Sequence, residues 1–349
     1  MNKKETVKIK IGDIFIGGDS PITVQSMTNT DTRNVEETVK QIKKLEEVNC
    51  DIIRCAVPDE EACDALTEII KKINIPLVAD IHFDYKLALK AIDNGVSALR
   101  INPGNIGNEE RVNLVAKKAK ENGIPIRIGV NSGSLEKDIL NKYGGVCSDA
   151  LVESALRHVE ILNKVDFHDI VISIKSSNVN QMIESYKKIS SKVNYPLHLG
   201  VTEAGTPWRG IIKSSIGIGA LLSEGIGDTI RVSLTGDPIE EVKVGKEILR
   251  SLNLYNKGIE FISCPTCGRT EINLIKIAEE VEKRLEDVDK NIKVAIMGCV
   301  VNGPGEARES DIGIAGGKGY GLIFKKGKII KKVKEEDLVE GLIEEIRNM

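Results

Sequence analysis

Short apolar runs alternate with amphipathic helical patterns through the first 252 residues of the chain. Each run contains β-branched residues, carries a polar residue at or next to its end and precedes a segment whose apolar residues recur at helical spacing. In the first such segment Val39, Ile42 and Leu45 fall on one helical face. The runs lie at residues 22–26, 51–55, 76–80, 98–102, 125–130, 169–175, 196–203 and 229–234.

Eight strand–helix units in about 250 residues predict a closed (β/α)8 TIM barrel, an α/β fold. Apolar strands that alternate with helices are typical of a parallel sheet buried on both faces. An open doubly wound sheet is the structural alternative. No strand is followed by the Gly-x-Gly-x-x-Gly turn that would favour it.

The pattern changes after residue 252. Residues 253–258 are predicted to be a linker, and residues 259–349 a smaller α+β domain. Its strands are expected at 260–263, 293–297, 311–315 and 321–325, and its helices at 271–286 and 335–347. The barrel domain is therefore expected to span residues 1–252.

Composition narrows the class of protein. The net charge is −3 with acidic and basic residues well mixed, which argues against a nucleic-acid protein held by bulk charge. No apolar run reaches the roughly 18 residues of a membrane span, and the first residues lack the apolar region of a signal peptide. We therefore expect a cytoplasmic protein without a membrane partner, in which seven cysteines are thiols or metal ligands.

The carboxyl ends of the predicted strands carry an unusual set of polar residues. In a barrel these ends converge on one mouth, where ligands bind. The set consists of Arg54, Asp80, His82, Arg100, Asn102, Arg127, Asn131, Lys175, Glu203, Arg231 and Ser233. Five cations in one cavity repel one another unless a polyanion joins them, and guanidinium groups match phosphate oxygens. The set therefore indicates a phosphate or diphosphate ligand, unless each cation pairs with a neighbouring carboxylate.

Two features of this mouth leave alternatives open. Asp80 and Glu203 are its only carboxylates, and each can orient an arginine, hold a substrate hydroxyl or a proton, or merely balance charge. The glycine-rich segment 102–107 can place backbone N–H groups around an anion at a helix N-terminus, or can be a simple turn.

Three cysteines stand out in the second domain. Cys264 and Cys267 lie in the sequence CPTCGR, and Cys299 begins CVVNGPGE, which ends at Glu306. A structural zinc site needs four Cys or His ligands, yet all four histidines lie in the barrel half, and a bare redox pair leaves Cys299 unexplained. An iron–sulfur cluster held by three cysteines, with Glu306 as an exchangeable ligand to the fourth iron, fits best. Zinc and a redox pair remain the alternatives.

These motifs resemble those of the hydroxymethylbutenyl diphosphate synthase family. The barrel half agrees through VQSMTNT from Val24, DIHF from Asp80, LRINPGNIG from Leu99 and VTEAG from Val201. The match covers nearly the whole chain and resembles the bacterial two-domain form. Thr266, where the family often has serine, is the one local variation.

The resemblance implies a function. The family opens cyclic methylerythritol cyclodiphosphate, using two electrons and a [4Fe-4S] cluster, to give hydroxymethylbutenyl diphosphate in isoprenoid biosynthesis. Arg54, Arg100, Arg127 and Lys175 then resemble diphosphate clamps, and Asn102, Asn131, Arg231 and Ser233 accessory contacts. Asp80 and Glu203 would contact the hydroxyl-bearing carbons, with Glu203 supplying protons. Cys264, Cys267, Cys299 and Glu306 would hold the cluster.

Partners follow from the same reasoning. The family's electron donors are flavodoxin or ferredoxin, and the basic stretch 325–334 is either a docking surface for such a donor or a solvated hairpin.

The eighth helix of a barrel returns to the end opposite the mouth, so a short linker leaves the second domain far from the mouth of its own barrel. This geometry predicts a head-to-tail homodimer. A non-catalytic iron–sulfur carrier or sensor and a zinc-dependent barrel lyase are the competing functions.

Overall fold

The structure, a computed structural model, describes residues 3–286, 288, 290–300 and 307–349. The chain divides into two compact units, Met1–Tyr255 and Asn256–Met349. In the described residues no helix is both long enough and apolar enough to cross a membrane.

The first unit alternates strands and helices. Its strands are β1 Ile9–Ile11, β2 Ile14–Ile16, β3 Thr23–Met27, β4 Ile52–Ala56, β5 Leu77–Asp80, β6 Ala98–Ile101, β7 Ile126–Asn131, β8 Ile170–Lys175, β9 His198–Leu199 and β10 Thr229–Ile230. Its helices are α1 Val35–Glu47, α2 Glu60–Ile70, α3 Tyr85–Asp93, α4 Glu109–Glu121, α5 Lys137–Tyr143, α6 Ser148–Lys164, α7 Val179–Ser190, α8 Pro207–Ser223 and α9 Pro238–Ser251.

Eight of these strands form a closed parallel barrel. Strands β3 to β8 pair in chain order, β3 also pairs with β10, and β10 pairs with β9. Ile172 of β8 bridges to Leu197 beside β9, and its N–H donates to the Pro196 carbonyl at 2.9 Å, which closes the ring. The predicted (β/α)8 barrel is confirmed.

The last two barrel strands are shorter than their apolar runs predicted. β9 and β10 contain two residues each, although runs of eight and six residues were expected. The chain leaves regular strand geometry at Gly200, where a Cβ would lie only 2.7 Å from the Arg231 carbonyl oxygen. The following segment includes Glu203 with a φ of +50°, a left-handed conformation that no strand contains.

Local sequence explains where the helices begin. Several loops from strand to helix end on Asn or Asp, whose side-chain oxygen accepts a backbone N–H from the first helical turn. These caps are Asn34, Asp59, Asn108, Asn178 and Asp237. The helices then bury the faces that their periodicity predicted, for example Val39, Ile42 and Leu45 in α1.

The barrel has an apolar floor and a polar interior. The β1–β2 hairpin, which the sequence did not reveal, packs Ile9, Ile11 and Ile16 against inward residues at the amino ends of the strands, such as Ile52 and Val171. Above this floor the inward positions carry polar and charged side chains. The main apolar core therefore lies between the strands and the helices.

The second unit is a five-stranded mixed sheet with helices on one face. Its strands are β11 Ile259–Ser263, β12 Ile292–Met297, β13 Ile312–Gly317, β14 Tyr320–Lys325 and β15 Lys328–Lys334, and its helices are α10 Leu274–Leu285 and α11 Leu338–Arg347. The order is β11–β12–β13–β14–β15, with the first three strands parallel and the last two antiparallel. The predicted α+β class is confirmed, with β15 as an additional strand.

Candidate active site

Five cationic side chains meet inside the carboxyl end of the barrel. Arg54, Arg100 and Arg127 occupy inward positions of β4, β6 and β7, Lys175 ends β8, and Arg231 directly follows β10. Arg100, Arg127 and Lys175 are buried, and the side chains of Arg54 and Arg231 are only 12% and 15% exposed. Neighbouring strands align these residues, since Arg100 faces Arg127 in the β6–β7 register. The predicted convergence on one mouth is thus found.

Asp80 lies at the centre of this group. Its Oδ1 is 3.3 Å from Arg100 Nη1, and its Oδ2 is 3.7 Å from Arg54 Nε and 3.6 Å from His82 Nε2. Burial alone would raise the pKa of Asp80, but Arg54, His82 and Arg100 together hold that pKa well below its usual value. Asp80 is therefore ionised at neutral pH and orients two guanidinium groups.

The cations outnumber the carboxylates that contact them. Only Asp80 and Glu241 form ion pairs with the five in the described residues, and Glu241 Oε2 is 3.7 Å from Arg231 Nε. Burial and the neighbouring arginines lower the pKa of Arg54 to about 9 and that of Arg127 well below its usual value. An anion in the mouth would relieve this repulsion.

Lys175 is the least compensated of the five. It is 8% exposed, and no hydrogen bond or ion pair to its ammonium occurs in the part of the chain that the structure describes. Burial, followed by repulsion from Arg231, Arg54, Arg127 and Arg100, lowers its pKa well below the usual lysine value. A group of this kind is preorganised for an anionic ligand.

Two glycines make room for these side chains. A Cβ on Gly129 would lie 2.5 Å from Arg100 Nε, and Arg100 Nη2 donates to the Gly129 carbonyl at 3.0 Å. A Cβ on Gly200 would lie 3.3 Å from Lys175 Nζ. The side chains of Arg100 and Lys175 therefore pack directly against the glycine backbone of neighbouring segments.

Some site residues escaped the sequence reasoning. Arg127 Nη1 donates to Gln25 Oε1, and Met27 Sδ accepts hydrogen bonds from Arg54 Nε at 3.1 Å and Nη2 at 2.8 Å. Both partners lie at inward positions of β3, and the period of two along that strand was the available signal. Glu241, at the start of α9, gave no such signal.

His198 was also missed. It is fully buried in β9, and its Nε2 has no hydrogen-bond partner in the described residues. Burial, followed by repulsion from Arg127 and Lys175, lowers its pKa well below the usual value, so the imidazole is neutral. Arg127 Nη2 is likewise buried without a hydrogen-bond partner in the part of the chain that the structure describes.

The other predicted residues occupy different places. The Asn102 side chain accepts the Gly129 N–H at 2.9 Å, and Asn131 ends β7 opposite Lys175. Glu203 is exposed, and no hydrogen bond or ion pair involves it in the described residues. Ser233 is half-buried in the loop after β10. The structure thus does not bring Glu203 into contact with the cations.

The three predicted metal-binding cysteines lie near one end of the second sheet. Cys264 directly follows β11, and Cys299 is the second residue after β12, the parallel neighbour of β11. The Gly298 N–H donates to Cys264 Sγ at 3.1 Å. Cys267 is exposed, and the backbone N–H of Arg269 lowers the pKa of its thiol. Hydrogen bonds of this kind to sulfur are typical of iron–sulfur ligands.

The donor set fits an iron–sulfur centre chemically, although its ligands are not drawn together. No three Cys, His, Asp or Glu side chains in the described residues converge closely enough to hold a metal ion. Glu306, the predicted fourth ligand, lies outside the described residues. The second unit has no histidine in its sequence, so the available sulfur donors favour iron–sulfur over a Cys/His zinc site.

The remaining cysteines are structural. Burial raises the pKa of the Cys50 and Cys55 thiols to about 12 and that of Cys63 to about 11. Cys147 caps α6, with its Sγ accepting the Ala150 N–H at 3.4 Å. The raised pKa values of Cys50, Cys55 and Cys63 disfavour their reactive thiolate forms.

A separate cleft of about 590 Å³ opens at the opposite end of the barrel. Its walls include Val7, His168, Asp169, Lys192 and Tyr195, at the amino ends of β8 and β9. No predicted site residue lines it, and the convergent cations lie at the other end. The barrel mouth, with its charged groups, remains the better candidate for the active site.

Comparisons with known proteins agree with this organisation. The GcpE TIM-barrel domain matches residues 6–246, and the GcpE protein C-terminal domain matches residues 260–348. A protein of Clostridium tetani called 4-hydroxy-3-methylbut-2-en-1-yl diphosphate synthase (flavodoxin) is 88% identical over 349 residues, which cover 100% of both chains. A protein of Clostridium acetobutylicum with the same name is 74% identical, again over 100% of both chains.

Solved structures support the barrel at the level of fold alone. Dihydropteroate synthase of Yersinia pestis superimposes with a TM-score of 0.51, covering 71% of this chain and 100% of that one, at 11% identity. Such low identity carries no argument about activity.

Proposed function

The chain belongs to the GcpE family, and from that premise we propose that it is an iron–sulfur oxidoreductase of isoprenoid biosynthesis. It reductively opens 2-C-methyl-D-erythritol 2,4-cyclodiphosphate and removes a hydroxyl group to give 4-hydroxy-3-methylbut-2-enyl diphosphate. Two electrons and two protons enter, a ring carbon–oxygen bond breaks, and the hydroxyl oxygen leaves as water. The relatives are named as synthases of this product.

The observation that carries the proposal is the buried excess of positive charge in the barrel mouth. A cyclic diphosphate brings two linked anionic groups, which match several guanidinium forks and one ammonium. We assign the clamp to Arg54, Arg100, Arg127 and Lys175. The accessory contacts are assigned to Asn102, Asn131, Arg231 and Ser233.

The carboxylates receive different roles. Asp80 is ionised and ion-paired with Arg54 and Arg100, so it positions the clamp and accepts hydrogen bonds from substrate hydroxyl groups. Glu203 is exposed on a loop at the mouth and has no ion-pair partner in the described residues. We therefore assign proton delivery to Glu203 rather than to Asp80.

The cofactor of this proposal is a [4Fe-4S] cluster held by Cys264, Cys267, Cys299 and Glu306. When bound, it supplies single low-potential electrons and one iron that acts as a Lewis acid. The protein's own part there is to present thiolates, with the Gly298 N–H donating to Cys264 Sγ.

Flavodoxin, which is part of the relatives' names, is the proposed electron donor, with ferredoxin as the alternative. The basic stretch 325–334 gives no simple dock for it. Lys331 contacts Glu345 at 2.7 Å, and Lys334 contacts Glu336 at 3.4 Å, so part of the charge is compensated within the unit.

We also propose a barrel domain of residues 1–252, a linker of residues 253–258 and a cluster domain of residues 259–349, assembled as a head-to-tail homodimer.

Mixing two inactive variants tests the head-to-tail arrangement. Arg100→Met disables the clamp, and Cys264→Ser disables the cluster. If each cluster domain serves the partner's barrel, mixed dimers regain one intact site and the mixture recovers about a quarter of wild-type turnover. No recovery after confirmed subunit exchange would refute the arrangement.

Anaerobic turnover of the cyclic diphosphate with a chemical reductant tests the function directly. Arg100→Met should weaken substrate binding by about 1.5–3 kcal/mol, the value of a charge-assisted hydrogen bond, and leave the reduction potential unchanged. Arg33→Met, an exposed arginine paired with Asp31, is the control. A mere electron carrier would be indifferent to both changes, and zinc without iron and sulfide in the purified protein would exclude the cluster.

A further inference from the structure

His158 of α6 is wedged beneath the turn that follows β6. The residue is 4% exposed, and its Nδ1 accepts the backbone N–H of Gly104 at 3.2 Å. A Cβ on Gly104 would lie 2.7 Å from His158 Cε1, so only glycine lets the turn close over the ring. One of the backbone N–H groups of segment 102–107, a candidate anion site in the sequence, is therefore already used by a side chain.

The other ring nitrogen of His158 faces a second loop. Its Nε2 lies 3.3 Å from Glu136 Oε1, a buried oxygen with no well-aligned donor in the described residues. Glu136 Oε2 in turn accepts the Ser154 hydroxyl at 2.8 Å. Glu136 lies in the loop between β7 and α5, so one imidazole links the loops that follow two adjacent strands.

Those two loops begin with residues of the proposed site. Asn102 immediately precedes the short 3₁₀ turn Pro103–Asn105, whose Asn105 N–H donates to the Asn102 carbonyl at 2.9 Å. Asn131 ends β7 and immediately precedes the loop that reaches Glu136. A displacement of either loop would move an amide that faces the mouth.

We propose that His158 is a positioning residue, which holds the loops after β6 and β7 so that Asn102 and Asn131 face the anionic substrate. Its role in substrate affinity depends on the proposed function, whereas its role in holding the loops does not. Burial lowers the pKa of His158, with Arg157 adding to this effect and Glu136 opposing it. The neutral ring accepts the Gly104 N–H at Nδ1, so its proton is on Nε2, 3.3 Å from Glu136 Oε1.

Three substitutions separate the two contacts. His158→Asn keeps an acceptor near the Nδ1 position, His158→Gln keeps a donor near the Nε2 position, and His158→Leu removes both. The matched control is His168→Asn, because His168 is exposed and lies at the far end of the barrel. The holoenzyme of each variant is compared by hydrogen exchange of segment 102–107, by affinity for inorganic pyrophosphate, and by steady-state kinetics.

In His158→Leu, exchange of segment 102–107 should be about tenfold faster, and pyrophosphate should bind about tenfold more weakly. The KM for the cyclic diphosphate should rise by a similar factor while kcat falls less. His158→Asn should restore slow exchange, and His158→Gln should not.

Wild-type exchange and KM in His158→Leu would overturn the proposal. If that variant fails to fold, equal exchange in the Asn and Gln variants would overturn it instead, because a filler role would not distinguish them. An absence of turnover in the wild-type protein would refute the proposed function, and the exchange measurement would still decide the role of His158.

Discussion

Binding of the cyclic diphosphate should draw a proton into the barrel, and Lys175 should receive it. Burial and four arginines keep the pKa of Lys175 well below its usual value, and no acceptor in the described residues compensates its charge. The neutral form of Lys175 is therefore more populated in the ligand-free protein than the neutral form of an ordinary lysine at the same pH. The ring phosphates carry no titrating proton at neutral to mildly alkaline pH, so a proton taken up on binding must enter the protein.

The expected size follows from the site. A phosphate oxygen about 4 Å from the ammonium contributes about 4 kcal/mol at an effective dielectric constant of 20. This favours protonation of Lys175 by a factor of roughly 10³. Binding should therefore be accompanied by net proton uptake at mildly alkaline pH, because the ligand raises the pKa of Lys175 from its lowered value.

Calorimetric titration measures this uptake. Oxidised holoenzyme without reductant binds the cyclic diphosphate in two buffers of different ionisation enthalpy, and the slope of the observed enthalpy gives the protons taken up. Lys175→Met removes the titrating ammonium, so its slope should fall while weaker binding persists. Lys40→Met, which changes an exposed lysine on α1, should retain the wild-type slope. A zero slope in the wild type, or an unchanged slope in Lys175→Met, would refute the reasoning.

Two further predictions concern backbone positions of the mouth. Gly129→Ala places a methyl group 2.5 Å from Arg100 Nε and should weaken pyrophosphate binding at least tenfold in an equilibrium titration, whereas Gly133→Ala, with open space around it, should have no effect. Glu203→Gly relieves the strain of a non-glycine residue with a φ of +50°. In urea denaturation the free energy of unfolding of this variant should equal the wild-type value or exceed it by up to about 1 kcal/mol. Its kcat should fall by about 10² or more. The control is Asn253→Gly, because Asn253 has a similar φ of +56°. This control should have the same stability as Glu203→Gly but keep the wild-type kcat. Full activity in Glu203→Gly would remove Glu203 from catalysis.

Period-two patterning carried most of what the sequence could predict. Inward positions of parallel strands alternate with outward ones, so inward polar residues near the end of a run mark the mouth, as Arg54 and Arg100 show. The same period would have placed Gln25 and Met27 of β3 beside these arginines. Gln25 and Met27 have neutral side chains, so they gave no charge pattern that would indicate an anion-binding site.

Contacts made across the chain were beyond such reasoning. His158 lies on a helix whose buried face also holds ordinary apolar residues, and its two partners are 54 and 22 residues away in sequence. Glu241 reaches Arg231 from the first turn of α9. No local period encodes these pairs, since they depend on how helices pack around the finished barrel.

The position of the apolar core explains how the barrel tolerates its charged interior. In many TIM barrels, bulky apolar side chains fill the interior and contribute to stability. Here the barrel–helix layer and the β1–β2 hairpin supply that burial, and Ile9, Ile11 and Ile16 seal the floor. The upper interior is thus free to hold like charges that disfavour the empty state. Because an anion that binds only the folded state removes this repulsion, ligand binding and folding reinforce each other at the same five cations.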